Sequence, residues 1–449
     1  MKHLCLLTLI ACLVVFASCN DDEQFVDAKL NKQVRKLIRE ADPENGLSGF
    51  VLPESDDLDA IPQDPLNPLT PDKIKLGKLL FHETALGVKA KYAVGLKSYS
   101  CASCHQVAAG FQAGRRQGIG DGGSGFGFKG EGRERSADYP GDSLDVQPIR
   151  SPTALNVAYQ KNMLWNGQFG ATGVNIGTED RWTPGTPIAT NFQGFEGVEV
   201  QALAGLRVHR LDINEDITGN AEYRDLFEKA FPGVSDEERY TLDNVGLAIA
   251  AYERVMLANR SPFQKWLRGY SNALTTSELR GAKLFFGRAN CVECHTGPAL
   301  NTLEFHALGM GDLQGGDVFQ AAPAGAGANL GRGGFTGVAD DNFKFKVPQL
   351  YNLADAGIFG HGGTFNSVAA VIEYKNAAVA ENPTVPASQL ADGFTDLGLS
   401  SGEISDLVAF ITDGLYDPHL ERYVPESLPT GACFPNADEQ SKIDLGCND

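Results

Sequence analysis

Cys101-Ala102-Ser103-Cys104-His105 recurs as Cys291-Val292-Glu293-Cys294-His295, two copies of Cys-X-X-Cys-His in one chain. Each pair of thiols can add across the two vinyl groups of a haem, and the adjacent histidine then lies close enough to hold the iron from one side. Cys-X-X-Cys alone also serves zinc sites and redox-active disulfides. A zinc site would need both cysteine pairs to converge and would leave the two histidines without a role. A thioredoxin-like motif would need a βαβ setting, which neither flank shows. The repeat, with both histidines intact, points to two covalently bound c-type haems.

The flanks of the two motifs repeat as well. Thr70-Pro71-Asp72 supplies an N-cap, a first-turn proline and an acid at the positive helix end, and Ile74, Leu76, Leu79, Leu80 and Phe81 follow at helical spacing. Thr275 and Glu278 form a capping-box pattern ahead of Leu279, Ala282, Leu284, Phe285 and Phe286. Lys78-Leu79-Leu80-Phe81 and Lys283-Leu284-Phe285-Phe286 read as one duplicated unit. The expected fold is mainly α, two cytochrome-c-like haem domains with long loops. The expected boundaries are a signal peptide over 1–19, an acidic, Pro-rich tether and linker over 20–69, haem domains over 70–258 and 259–425, and a tail over 426–449. Phe25 to Ala41 is expected to form a short amphipathic helix within the tether. Ten glycines between Gly110 and Gly132 predict irregular structure, either a flexible cover over the first haem or a surface excursion.

Of nine cysteines, three lie in the N-terminal apolar segment and four in the haem motifs, which leaves Cys433 and Cys447 as a disulfide or two free thiols. A bridge would staple a tail with little apolar surface and implies an oxidising compartment. Lys2, the apolar run Leu4 to Phe16, and Ala17-Ser18 before Cys19 read as an export signal too short to span a membrane. Small residues before a cysteine resemble a lipoprotein signal with Cys19 lipidated; Phe16 departs from that pattern and leaves ordinary cleavage open. The expected location is the periplasm or cell envelope, with a lipid anchor as the only membrane contact. A formal net charge of −19 argues against nucleic acid as a partner and permits steering of a basic redox protein.

Four stretches resemble the bacterial di-haem cytochrome c peroxidases and the related enzyme that matures methylamine dehydrogenase. They are LGKLLFHETALG before the first haem, RSPTALNVAYQKNMLWNG between the haems, SPFQKWLRG, and FKVPQLYNLADAGIFGHGGTF after the second. The resemblance implies a peroxidatic haem held by His105 and an electron-relay haem held by His295. Hydrogen peroxide would be the substrate, and a small electron-donor protein or a quinol-linked donor the partner. Many members close the resting peroxidatic haem with a histidine sixteen residues past the proximal one. Here that position is Asp121, so the first haem is expected to be open at rest.

Trp165 matches the tryptophan between the haems and Gln201 a distal-pocket glutamine. Where the resemblance places an acid-base glutamate, this chain has Val208-His209-Arg210-Leu211-Asp212. His209 would move the peroxide proton and Arg210 would stabilise developing charge; the bland reading is a surface histidine and a solvated charge. Asp212 and Glu199 are the fallback carboxylates. The resemblance places a Met or Tyr as sixth ligand of the second haem fourteen residues after His361, a count that lands on Lys375, with Tyr374 beside it; Met310 is a further candidate by spacing from His295. The resemblance also implies a calcium ion near Ser151 and Ala356 to Ile358, although the usual ligand types are not kept there. A high-valent oxidase acting on another substrate and a non-catalytic electron carrier are the rival functions, and a homodimer is an open assembly.

Overall fold

The computed structural model describes residues 27–447. The expected export signal and the expected lipidation site at Cys19 lie outside the described residues, none of whose helices is long and apolar enough to cross a membrane.

The molecule is mainly helical, with two short antiparallel ladders pairing Gly123–Ser124 with Glu134–Arg135 and Phe305–His306 with Phe345–Lys346. Helix α1 (Ala28–Ala41) starts on the Asp27 carboxylate, which accepts from the amides of Lys29 and Leu30, and buries Leu30, Val34 and Ile38 at i, i+4, i+8. Helix α2 (Pro71–His82) is capped by Thr70 and carries Pro71 in its first turn, where no amide hydrogen is needed. It packs on α4 (Ala221–Ala230) and α5 (Leu242–Val255), and α3 (Gly197–Val208) packs on α5 from another side. In the second half α6 (Thr276–Phe285) begins in the Thr275/Glu278 capping box and packs on α8 (Ser401–Ala409), which also meets α7 (Val368–Ala377). Both haem-preceding helices cross their partners at a glycine. A Cβ on Gly77 would lie 1.9 Å from the Ala248 carbonyl oxygen, and one on Gly281 would lie 2.0 Å from that of Asp406. Any side chain at these two points would push the helices apart.

The two ends of the chain cross over. The early part of residues 42–67, expected to be a linker, folds onto the second half: Phe50 and Leu52 are fully buried, Phe50 meets Phe286 edge-on at 5.3 Å, and Gln264 bonds the backbone of both. Helix α1 docks beside them, with Arg35 over the Trp266 ring at 4.2 Å. Pro62, Asp64 and Asn67 instead bond residues of the first half. The tail returns to the first half. Cys433 and Cys447 are disulfide-bonded, and Phe434 packs on His82.

The glycine-rich stretch is not a flexible cover. Arg133, 1% exposed, donates to the carbonyls of Ile119 and Gly120 and pairs with Asp438 at 3.0 Å. Asp444 accepts from the amides of Phe126 and Gly127. A guanidinium at the end of the loop and two carboxylates from the tail satisfy backbone groups that glycine composition leaves without helix or strand partners.

Candidate active site

Both Cys-X-X-Cys-His motifs form a tight 3₁₀ turn with the histidine just beyond it. In each, the imidazole Nδ1 points at a backbone carbonyl, Phe111 for His105 and Leu300 for His295, both at 3.1 Å. A carbonyl only accepts, so Nδ1 carries the proton and Nε2 keeps its lone pair, the tautomer a metal-binding histidine needs. Burial pushes both imidazoles down to about 4, which keeps them neutral. The four motif cysteines form no disulfide, and burial pushes Cys104 up to about 12 and Cys291 up to about 11. Cys294, Glu304 and His306 converge in a cluster of metal-ligand types, but a Cys294 sulfur committed to a thioether leaves that cluster one ligand short.

The far side of the first site is polar. Gln201, Gly205 and His209 stand at i, i+4, i+8 along one face of α3 and its C-cap. The His209 Nδ1 lies 2.9 and 3.0 Å from the two carboxylate oxygens of Asp145. Burial pulls the His209 pKa down, Asp145 outweighs it, and the net shift is upward. The charge of His209 also lowers the pKa of His105, a smaller effect than burial, which lowers it, and the Phe111 carbonyl, which raises it. Arg210, at φ +59°, donates to Asp121 at 2.5 Å and to the Ser143 carbonyl at 3.0 Å. Asp121 is fully buried and also accepts from Tyr139 and the Lys91 amide. Thus the residue standing where related chains carry a closing histidine anchors Arg210 instead.

Neither fallback carboxylate is free. Glu199 is fully buried in a two-point pair with Arg254, and Asp212 is drawn to the surface by Lys89. Sequence reasoning missed Asp145, because only the fold brings it to His209 from 64 positions away.

Trp165 lies where the halves meet. Its indole donates to the Arg150 carbonyl at 2.8 Å, and its ring stands 6.3 Å from that of His361, which stacks on Phe345 at 3.6 Å. Two cations are buried on either side of it. Arg150 bonds only neutral groups, carbonyls and the Gln112 side chain, and burial pulls it down to about 10; Lys346 bonds Gln160 and the Asn162 carbonyl, and burial pulls it down to about 7. Buried cations normally have an anion beside them, and haem propionates would supply it here.

The far side of the second site is apolar. Phe365, Tyr374 and Phe394 form a cluster joined by Leu308 and Met310. The Tyr374 hydroxyl is committed to the Leu308 carbonyl at 2.5 Å. Lys375 is not so committed: burial pulls its pKa down, and the Cys294 and Cys291 thiols beside it pull the other way. Near the expected calcium position, the Lys129 ammonium donates to the Asp355 carbonyl at 2.8 Å and stands 3.5 Å from where a Gly357 Cβ would be.

Two haem-attachment turns on duplicated helix pairs, joined across a tryptophan, define a di-haem c-type redox protein. The family described as di-haem cytochrome c peroxidase matches residues 71–272, and the chain is similar to that family. It is 27% identical to the methylamine utilization protein MauG of Methylorubrum extorquens over 81% of this chain and 82% of that one. It is 28% identical to the cytochrome-c peroxidase IdrP1 of Pseudomonas sp. over 78% and 82%. Among solved structures, a MauG-like protein associated with microbial copper homeostasis superposes with a TM-score of 0.57 at 25% identity, over 82% of this chain and 95% of that one.

Proposed function

We propose that the protein is an exported di-haem peroxidase that reduces hydrogen peroxide to water with electrons from a small external donor, the first site being peroxidatic and the second the relay. The observation that carries this is the unequal pair of far sides: one lined by an acid-base group and a cation, the other apolar with a single lysine. Bound haem would supply the redox chemistry, two electrons and two protons turning one peroxide into two waters. His209 Nε2 takes the proton from one peroxide oxygen and returns it to the oxygen that departs as water. Arg210, held by Asp121, faces the charge that develops as the O–O bond breaks. Gln201 is a second polar neighbour on the same helix face. Trp165, bracketed by the Arg150 carbonyl and His361, is the bridge for electrons. Lys375, with no competing hydrogen bond, is the sixth-ligand candidate for the second iron, ahead of Tyr374. At the expected calcium position Lys129 already supplies a positive charge, which argues for a site that works without the ion. A lipid anchor at Cys19 and a homodimer remain part of the reading.

The test is donor-dependent peroxide turnover by haem-loaded protein, with the resting spectrum recorded alongside. The expected result is one high-spin and one low-spin haem, and turnover that falls about 10²–10⁴-fold in His209→Ala. Two low-spin haems with no turnover would overturn the reading in favour of a carrier.

A further inference from the structure

We infer that Asp145 is the positioning residue of the first site, holding the His209 imidazole by its Nδ1 hydrogen so that the Nε2 lone pair faces the haem cavity. The inference rests on the peroxidase reading for its function but on geometry for its substance. Both Asp145 carboxylate oxygens lie within 3.0 Å of His209 Nδ1. Its side chain is 5% exposed and has no Lys or Arg partner among the described residues. A buried carboxylate whose partner is an imidazole is arranged to act on that imidazole.

The backbone that presents Asp145 is fixed. The Gly120 amide donates to the Asp145 carbonyl, and the Asp145 amide donates to the Asp121 carbonyl, both at 2.9 Å. Ile119 and Val146 form an isolated antiparallel bridge beside them. The contact leaves no room for a side chain opposite: a Cβ on Gly120 would lie 2.4 Å from the Asp145 carboxylate. One pair of cross-linked segments therefore delivers two carboxylates, Asp145 to His209 and Asp121 to Arg210. Adjacent residues at the end of α3 are each aimed by their own acid.

The chemistry balances without moving the acid proton. His209 Nε2 receives one proton from peroxide and becomes imidazolium, stabilised by the Asp145 charge; it then gives that proton to the departing oxygen. Asp145 stays ionised throughout, while the two electrons come from the external donor and the two further protons that complete two waters come from solvent. The charged and titratable groups that act on His209 are Asp145 and Arg210, with Asp121 behind Arg210, Tyr99 beside that cluster of charges, and His105, whose pKa His209 lowers. Of these, Asp145 is the one that raises the basicity of the imidazole.

The experiment compares Asp145→Asn and Asp145→Ala, each alone and with His209→Ala, on haem-loaded protein. Two readouts are taken across pH: the rate of peroxide reaction, and the rate of cyanide binding to ferric protein, which also needs a distal base to take the proton from HCN. An asparagine keeps an acceptor for Nδ1–H but loses the charge. Asp145→Asn is expected to shift the pH midpoint of both rates to lower pH by about one unit and to slow them about 10–100-fold. The sign follows from the base having to be neutral: its folded pKa lies above the ordinary value, and removing the carboxylate lowers it. Asp145→Ala, which also frees the tautomer, is expected to be slower still. In the His209→Ala background neither change should matter. An unmoved midpoint, or an equal loss with and without His209, would overturn the assignment. If cyanide binding behaves as described while peroxide turnover is absent, the positioning role stands and the peroxidase reading fails.

Discussion

The two haem sites are built alike on the near side and unlike on the far side. Near-side likeness extends to atoms: a 3₁₀ turn, an imidazole Nδ1 on a carbonyl at 3.1 Å, and a preceding helix crossed at a bare glycine. These features are what any covalently attached haem with one histidine ligand requires, so duplication keeps them. The far side is where the sites diverged, into two buried carboxylates with two bases in one case and an aromatic cluster with one lysine in the other. Shared architecture therefore reports the cofactor, and the difference reports the division of labour.

The largest way to break the comparison is to delete one site. Cys291→Ala with Cys294→Ala is expected to leave one haem per chain by mass and absorbance, with donor-dependent turnover lost. The remaining haem should still bind cyanide at a rate governed by His209. If turnover survives, electrons reach the first site directly and the relay assignment is wrong.

A smaller intervention tests the second far side. Lys375→Met replaces a hard nitrogen with a soft thioether, and the reduction potential of the second haem is expected to rise. The first haem should keep its potential, since Lys375 belongs to the other half. Potentiometric titration read at separate Soret features checks this. Tyr374→Phe serves as the control and is expected to leave the potential alone, because the hydroxyl it removes is bound to the Leu308 carbonyl. A shift in the control with none in Lys375→Met would exchange the two residues.

Legibility followed the same divide. The attachment motifs, the capped helices before them and the Cys433–Cys447 disulfide could be read locally, because each depends on residues a few positions apart or on a count of cysteines. His209 and Arg210 were visible as a departure from the pattern of similar chains. Their partners were not: Asp145 and Asp121 reach them across 64 and 89 positions. Composition misled in two places. Glycine content predicted a loose loop over 110–132, whereas Arg133 just after it and Asp438 and Asp444 from the tail bind its backbone into a fixed wall. Prolines and acids over 42–67 predicted a linker, whereas Phe50, Leu52 and Ile61 bury it.

The smallest predicted effect concerns that wall. The tail touches the first attachment turn directly: Ser100 and Ser103 both donate to the Pro435 carbonyl, and Ser103 also reaches Asn436 at 2.5 Å. It then bonds the glycine-rich loop through Asp438 and Asp444. The second site has no such clamp, its outer support coming from α1 and the buried stretch after it. Opening the Cys433–Cys447 bridge, which spans 14 positions, releases a closed loop whose entropy is worth about 3 kcal/mol. Cys433→Ser with Cys447→Ser is therefore expected to lower the thermal midpoint followed at the first haem. The second haem should melt where it did before. Equal shifts at both haems would mean that the crossed-over ends couple the halves into one cooperative unit, and the asymmetry would then be confined to the far sides of the irons.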